Sequence, residues 1–240
     1  MCGWLSIVNC SQPAEVSRFC RCQRSHRGIL GLVGHATPMS SDHWNSAYST
    51  KNALERSWTE SGDSDALAEI LGCGVQLHEP VIDIGAGSST FVDSLLRLGY
   101  LDLSVLDISH TAIDETRNRL GQSGKDVSWI VSDVLLWQPN RKYMYWNDRA
   151  VFHFLTSRQD QISYANQAVG ATDSGSHIVM ATFSPNGPDS CSGLPVQRWS
   201  ADELADLFSE SCDVVGAEEY DHFTPWGSTQ SFMRLHLLRR

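Results

Sequence analysis

The sequence predicts a doubly wound α/β domain on a seven-stranded, mostly parallel sheet with strand 7 antiparallel. Three observations predict it. From residue 80 onward, short β-forming runs alternate with amphipathic helical segments, the pattern of a parallel sheet with helices on both faces. The first run, "VIDIGAGSST" at 81–90, breaks into a glycine-rich turn and then a helix, as chains do around a bound ligand. The last two runs have no helical segment between them, so strand 7 must return antiparallel to its neighbours.

The elements follow in order. "SDHWNSAYSTKNALERSW" (41–58) is polar and aromatic with a weak helical pattern. "DSDALAEILGCG" (63–74) is a short helix, with Asp63 or Ser64 as cap, Leu67, Ile70 and Leu71 as apolar stripe and Gly72 as terminator. "PVIDIG" is strand 1. The helix after it turns Phe91, Val92, Leu95, Leu96 and Leu98 inward and ends at Gly99. "LSVLDIS" is strand 2, "HTAIDETRNRLG" a helix, "VSWIVSD" strand 3 and "KYMYWND" strand 4. "SRQDQISYANQAV" is a helix and "SHIVMATFS" strand 5. "SADELADLF" opens with a capping box, Ser200 and Glu203. "CDVVGAEEY" and "QSFMRLHLLR" are strands 6 and 7.

Composition bounds the function. A length of 240 residues suffices for one such domain and its core. The net charge of −10 argues against a general nucleic-acid binder, which needs a basic surface to displace counterions from phosphate. Residues 1–38 stand apart: Arg18, Arg21, Arg24 and Arg27 against Glu15 make them +3, which leaves −13 for the rest (−10 minus +3). They are expected to be a disordered or non-native extension, lying upstream of a start at Met39, with a transit peptide as the alternative. Residues 39–240 are the expected domain. Cys2, Cys10, Cys20 and Cys22 with His26 could ligate zinc, but Cys20-x-Cys22 lacks the paired spacing of zinc sites. Cys73, Cys191 and Cys212 read as reduced thiols of a cytoplasmic protein. No apolar run approaches the roughly 18 residues of a membrane span.

The glycine turn narrows the ligand. A phosphate loop needs a Lys after its last glycine, and none is present. A dinucleotide turn needs a third glycine where Thr90 stands. Asp83, two residues before Gly85, would repel a pyrophosphate and attract an ammonium or sulfonium. S-adenosylmethionine meets these demands. Asp83 suits its ammonium. The backbone of Gly85, Ala86 and Gly87 and the next helix N-terminus suit its carboxylate. Asp107, with Ile108 after it, ends strand 2 where such folds hold ribose hydroxyls. Asp133 could accept the adenine amino group, with Val134 against the ring.

With these pieces the chain, over about residues 42–240, resembles the class I S-adenosylmethionine-dependent methyltransferases. "YWNDRAVFHFLT" is similar to the W-D-R-G-A-L segment of the thiopurine and thiol methyltransferases, with Asn147 inserted and Ala150 in place of the glycine. That resemblance implies an N-terminal aromatic segment folded over the cofactor, here "HWNSAY" with Trp44, and Trp58.

Acceptor chemistry is expected on loops at the carboxyl edge. Arg149 could orient an anionic or thiolate acceptor while Asp148 or His153 takes a proton. His222, Thr224 and Trp226 would project from the loop between strands 6 and 7, and the Pro- and Gly-rich 184–199 would form a lid or substrate wall. Cys191 has no neighbour marking it as a nucleophile. The expected function is methyl transfer to sulfur, nitrogen or oxygen of a small molecule. Protein lysine methylation and a non-catalytic cofactor-binding regulator are the alternatives, and a dinucleotide oxidoreductase is disfavoured by Asp83 and Thr90.

Overall fold

A computed structural model describes residues 40–60 and 65–240, all within one compact unit. The elements are α1 (Ser41–Thr50), α2 (Ala66–Cys73), β1 (Val81–Ile84), α3 (Phe91–Leu98), β2 (Leu103–Asp107), α4 (His110–Leu120), β3 (Ser128–Val131), β4 (Tyr143–Arg149), α5 (Arg158–Gly170), β5 (Thr172–Phe183), β6 (Ser190–Cys191), β7 (Leu194–Pro195), α6 (Ala201–Phe208), β8 (Cys212–Phe223) and β9 (Thr229–Arg239). The expected boundary at residue 39, the leader and its cysteines lie outside the described residues.

Seven strands form one sheet in the order β3-β2-β1-β4-β5-β9-β8, and β6 and β7 make a separate small hairpin. Only β9 runs against its neighbours. The strand order reverses between β1 and β4, which creates a crevice beyond their carboxyl ends.

Strand pleating sorts the core onto two faces. Ile82, Ile84, Trp146, Ile178 and Leu235 pack against Tyr164 of α5 and Leu204 and Phe208 of α6. Val81, Val105, Tyr145 and Val179 pack against Ile70 of α2, Phe91 and Leu95 of α3 and Ile113 of α4.

Two helices differ from the sequence reading. α2 continues past Gly72 and ends at Gly74, which takes the left-handed conformation that a Cβ would strain. Its N-cap is Asp65; Asp63 and Ser64 lie outside the described residues. Leu71 and, on α3, Leu98 are exposed rather than inward, because each helix rests on the sheet by a narrow stripe. The expected capping box at Ser200 and Glu203 is present. Strands β8 and β9 run longer than expected, a hairpin whose outer strand is largely exposed. No helix among the described residues is long and apolar enough to cross a membrane.

Candidate active site

A cleft of about 1090 Å³, counted to its open mouth, lies at the crevice where the strand order reverses. Its floor is the end of β1 and the turn after it: Asp83, Ile84, Gly85, Ala86 and Ser88 to Thr90. One wall is Leu106, Asp107 and Ile108 with Ser132 and Val134, and the other is Asn147, Arg149, Ala150 and Val151. Trp44, Tyr48, Trp58, Thr59 and Glu60 cover it, and Phe154 and Cys191 close the far side.

Asp83 is buried, and its Oδ1 accepts a 2.7 Å hydrogen bond from Asn147 Nδ2. Its Oδ2 is buried without a hydrogen-bond partner among the described residues. Burial raises the carboxyl to about 7; the Asn147 bond opposes this, and the charges of Glu60, Asp148 and Asp107 add to it. A buried carboxylate oxygen lacking a partner is costly, and a cation placed against it would supply the missing hydrogen bond and favour the ionised form.

Asp107 ends β2 with both oxygens on backbone: Oδ2 accepts from Gly87 N at 2.8 Å and Oδ1 from Ser109 N at 2.7 Å. Burial lifts it to about 6 against those bonds. The Ile108 amide also bears on this carboxylate, which still leaves it at least one lone pair for a ligand hydroxyl.

The glycine turn works differently from the sequence reading. The N–H groups of Gly85 and Ala86 donate to Leu106 O, and that of Gly87 to Asp107. These amides tie the turn to β2 and are not free for a ligand carboxylate. The glycines are needed for shape. Gly85 and Gly87 sit at φ +61° and +54°, where a Cβ would fall 1.8 Å from Val151 Cγ2 and 2.0 Å from Tyr48 Oη.

The cover is held by two arginines. Arg56, itself buried, makes a two-pronged pair with Glu115 and also donates to Tyr48 O, Lys51 O and Ser88 Oγ. Arg149 donates to Trp58 O at 3.0 Å, lies 3.3 Å from Glu60 and contacts His222 Nδ1 at 3.1 Å. His222 in turn reaches Ser57 O at 2.7 Å. Trp44 packs edge-on against Trp58 and Phe154 at 5.8 and 5.1 Å, and Tyr48 Oη accepts from Trp58 Nε1. Trp44, Tyr48 and Trp58 thus pack together along the cleft.

Several expected roles do not match the geometry. Asp148 faces away from the cleft, because pleating sends it to the opposite face from Asp83, Asn147 and Arg149. There it accepts from the Tyr164 hydroxyl and from Val151 N, and burial raises it to about 6. It ties a loop. His153 is fully buried among Phe154, Phe183 and Phe232, stacked 4.3 Å from Phe183, and burial with Arg149 nearby pushes it down to about 3. It stays neutral and lies outside the cleft lining. Arg149 lines the cleft, but its guanidinium is occupied by the cover. His222 holds that arginine instead of a substrate, and Thr224 closes its own loop onto Ser228. Trp226 is 58 % exposed at the hairpin tip, away from the cleft. Asp133 accepts from Leu135 N and lies between the lining residues Ser132 and Val134 without lining the cleft itself. From the loop 184–199, Cys191 reaches the cleft; burial pushes its thiol up to about 11, so it is not a poised nucleophile.

The sequence reading gave no role to Glu60, Asn147, Val151 and Phe154. Asn147 carried a signal: it shares strand parity with Arg149.

No family model matches the chain. The fold is that of the class I methyltransferases. The chain is 20 % identical to a chain from a structure on the conversion of a disulfide bond into a thioacetal group in echinomycin biosynthesis. The match has a TM-score of 0.66 and covers 83 % of this chain and 92 % of the other. With the N-methyltransferase NodS of Bradyrhizobium japonicum bound to S-adenosylhomocysteine it shares 13 % identity and a TM-score of 0.61, over 82 % and 99 % of the two chains. Among curated proteins it is 24 % identical to malonyl-[acyl-carrier protein] O-methyltransferase 1 of Ilyobacter polytropus over 69 % of this chain. The match spans 65 % of that relative's length.

Proposed function

We propose that this chain is an S-adenosylmethionine-dependent methyltransferase acting on a small-molecule acceptor. The observation that carries the reading is the unpartnered Asp83 Oδ2, buried at the switch point of a methyltransferase-type sheet. The residues fit the cofactor. Asp83 would hold the ammonium and Asp107 the ribose hydroxyls. Ile108 and Val134 would flank the adenine, with Ser132 beside it, and the hydroxyls of Ser88, Ser89 and Thr90 would serve the carboxylate.

When bound, the cofactor supplies an electrophilic methyl group on a sulfonium. The chain supplies position and dryness. Trp44, Trp58 and Phe154 exclude water above the floor, and Arg149 and His222 keep 57–60 closed over it. With His153 and Asp148 outside the cleft, Glu60, which lines it from the cover while paired with Arg149, is the acidic side chain of the cover available to an acceptor. It would orient an amine or accept a proton from a protonated acceptor. Acceptor sulfur, nitrogen and oxygen all suit a mechanism that rests on positioning.

Protein methylation is the second reading. The chain is 27 % identical over 95 residues to a mouse eEF1A lysine and N-terminal methyltransferase, although that match spans only 13 % of the relative.

Calorimetric titration of the full chain with S-adenosylmethionine, S-adenosylhomocysteine and NADH tests the proposal. Binding of the first two and not the third is expected. Binding of NADH alone, or of none, overturns it. Transfer of labelled methyl to small thiols and amines, against lysate proteins, then separates the two acceptor classes.

A further inference from the structure

On the α2 side of the sheet, away from the cleft lining, three potential metal ligands converge. Cys73 ends α2, His177 lies on β5 and His236 on the adjacent β9. Their ligand atoms all lie within 4.8 Å of one another, and each residue is half-buried. His177 Nδ1 is 2.8 Å from His236 Nε2, and Cys73 Sγ is 3.5 Å from that same nitrogen.

The convergence on one atom is informative. A neutral imidazole nitrogen carries either one hydrogen or one lone pair toward its neighbours. His236 Nε2 faces two partners with that single valence, so hydrogen bonding alone serves one of them well. A metal ion among the three atoms serves all of them. In a tetrahedral zinc site with bonds of about 2.0–2.1 Å to nitrogen and about 2.3 Å to sulfur, N···N edges are about 3.3 Å and N···S edges about 3.6 Å. The Cys73–His236 separation already matches. The histidine pair needs to open by about 0.5 Å, within reach of side-chain rotation.

We propose that Cys73, His177 and His236 form a three-ligand site for a zinc-class divalent ion, with the fourth position left to solvent. One thiolate and two imidazoles suit a borderline-soft ion and disfavour magnesium or calcium, which take oxygen ligands. On binding, the Cys73 S–H bond breaks, its proton leaves to solvent and the sulfur lone pair goes to the metal. Glu69 stays with Arg234, 2.9 Å away, and leaves the fourth position to water. The ion would fasten the end of α2 to β5 and β9. This inference does not depend on the methyltransferase reading.

The test uses the reduced, metal-stripped full chain. Zinc is titrated against a chromophoric chelator, and cobalt(II) serves as a spectroscopic stand-in. A thiolate-to-cobalt charge-transfer band is expected. It should disappear, and zinc affinity fall by at least about 100-fold, in both Cys73→Ser and His236→Gln. A Cys2, Cys10, Cys20 and Cys22 to Ser variant should keep the site. Melting in chelator shows whether each variant still folds; the two independent single variants guard against one that does not. No band, binding that survives both single substitutions, or binding abolished only in the leader variant overturns the site.

Discussion

The two sides of the cleft use their polar groups in opposite ways. On the cofactor side, Asp83 and Asp107 are anchored through Asn147 Nδ2 and two backbone amides, yet Asp83 keeps one oxygen unanswered. On the opposite side, the side chains expected from the sequence to serve an acceptor are engaged with the protein itself. Asp148, turned away from the cleft, holds Tyr164 and Val151, and Arg149 and His222 hold Trp58, Glu60 and Ser57. One side is built with an open valence, the other is built to stay closed. That contrast fits a transfer in which the protein fixes one partner tightly and shields the other from water.

The most direct way to break the comparison is Asp83→Asn. The shape is kept and Asn147 can still donate to the remaining oxygen, but the cleft then meets an N–H group where a carboxylate oxygen stood. S-adenosylmethionine affinity should fall about 100-fold, the scale of a lost charge-assisted hydrogen bond plus a facing donor. 5′-Methylthioadenosine, which has no ammonium, should lose little. Calorimetry with both ligands reads the difference; equal losses would mean that Asp83 shapes the cleft and does not hold a cation.

The same contrast explains what could be read from the sequence. The cofactor side follows from local pattern: a strand with an acid near its end, a turn and then a helix, at both β1 and β2, with the glycines in the turn after β1. Even there, amides that look free along the chain are taken by β2, a pairing that no local pattern encodes. The acceptor side depends on long-range geometry. Asp148 and Arg149 are adjacent in sequence but opposite in pleat, and only the register of β4 against β1 shows that Asn147 stands beside Asp83. His153 looks like a base one turn beyond Arg149. The aromatic residues that bury it come from β5 and β9, 30 and 79 residues further along (183 − 153 and 232 − 153).

A pH series on His153→Phe sharpens the acceptor side. His153 is held near 3 in the folded chain against an ordinary value of 6.5, so folding requires it neutral. The stability this confers is full above about pH 6.5 and is lost as pH falls toward 3, at about 1.4 kcal/mol per unit. The raised acids Asp83, Asp107 and Asp148 act in the opposite sense, losing stability as pH rises from about 4 to their folded values of about 6 to 7. They are common to both proteins and largely cancel in the difference. Relative to wild type, His153→Phe should therefore gain about 2 kcal/mol between pH 7.5 and pH 5, read from urea unfolding at each pH. S-adenosylmethionine binding at pH 7.5 should be unchanged. A flat difference would mean that the ring finds a partner when protonated.

The smallest expected effect lies at the seam between the two sides. Ala150 follows Arg149 at φ 68°, a left-handed conformation that costs a residue with a Cβ about 1–2 kcal/mol. The methyltransferases that this segment resembles carry glycine there. Ala150→Gly removes the Cβ strain but adds about 0.5–1 kcal/mol of chain entropy to the unfolded state. The net change should be a stabilisation below about 1 kcal/mol, seen as a higher urea midpoint with an unchanged slope. A loss of stability would show that the packing of Ala150 against the cluster of Phe154, Ala181, Phe183, Cys191 and Phe232 contributes more than the strain costs.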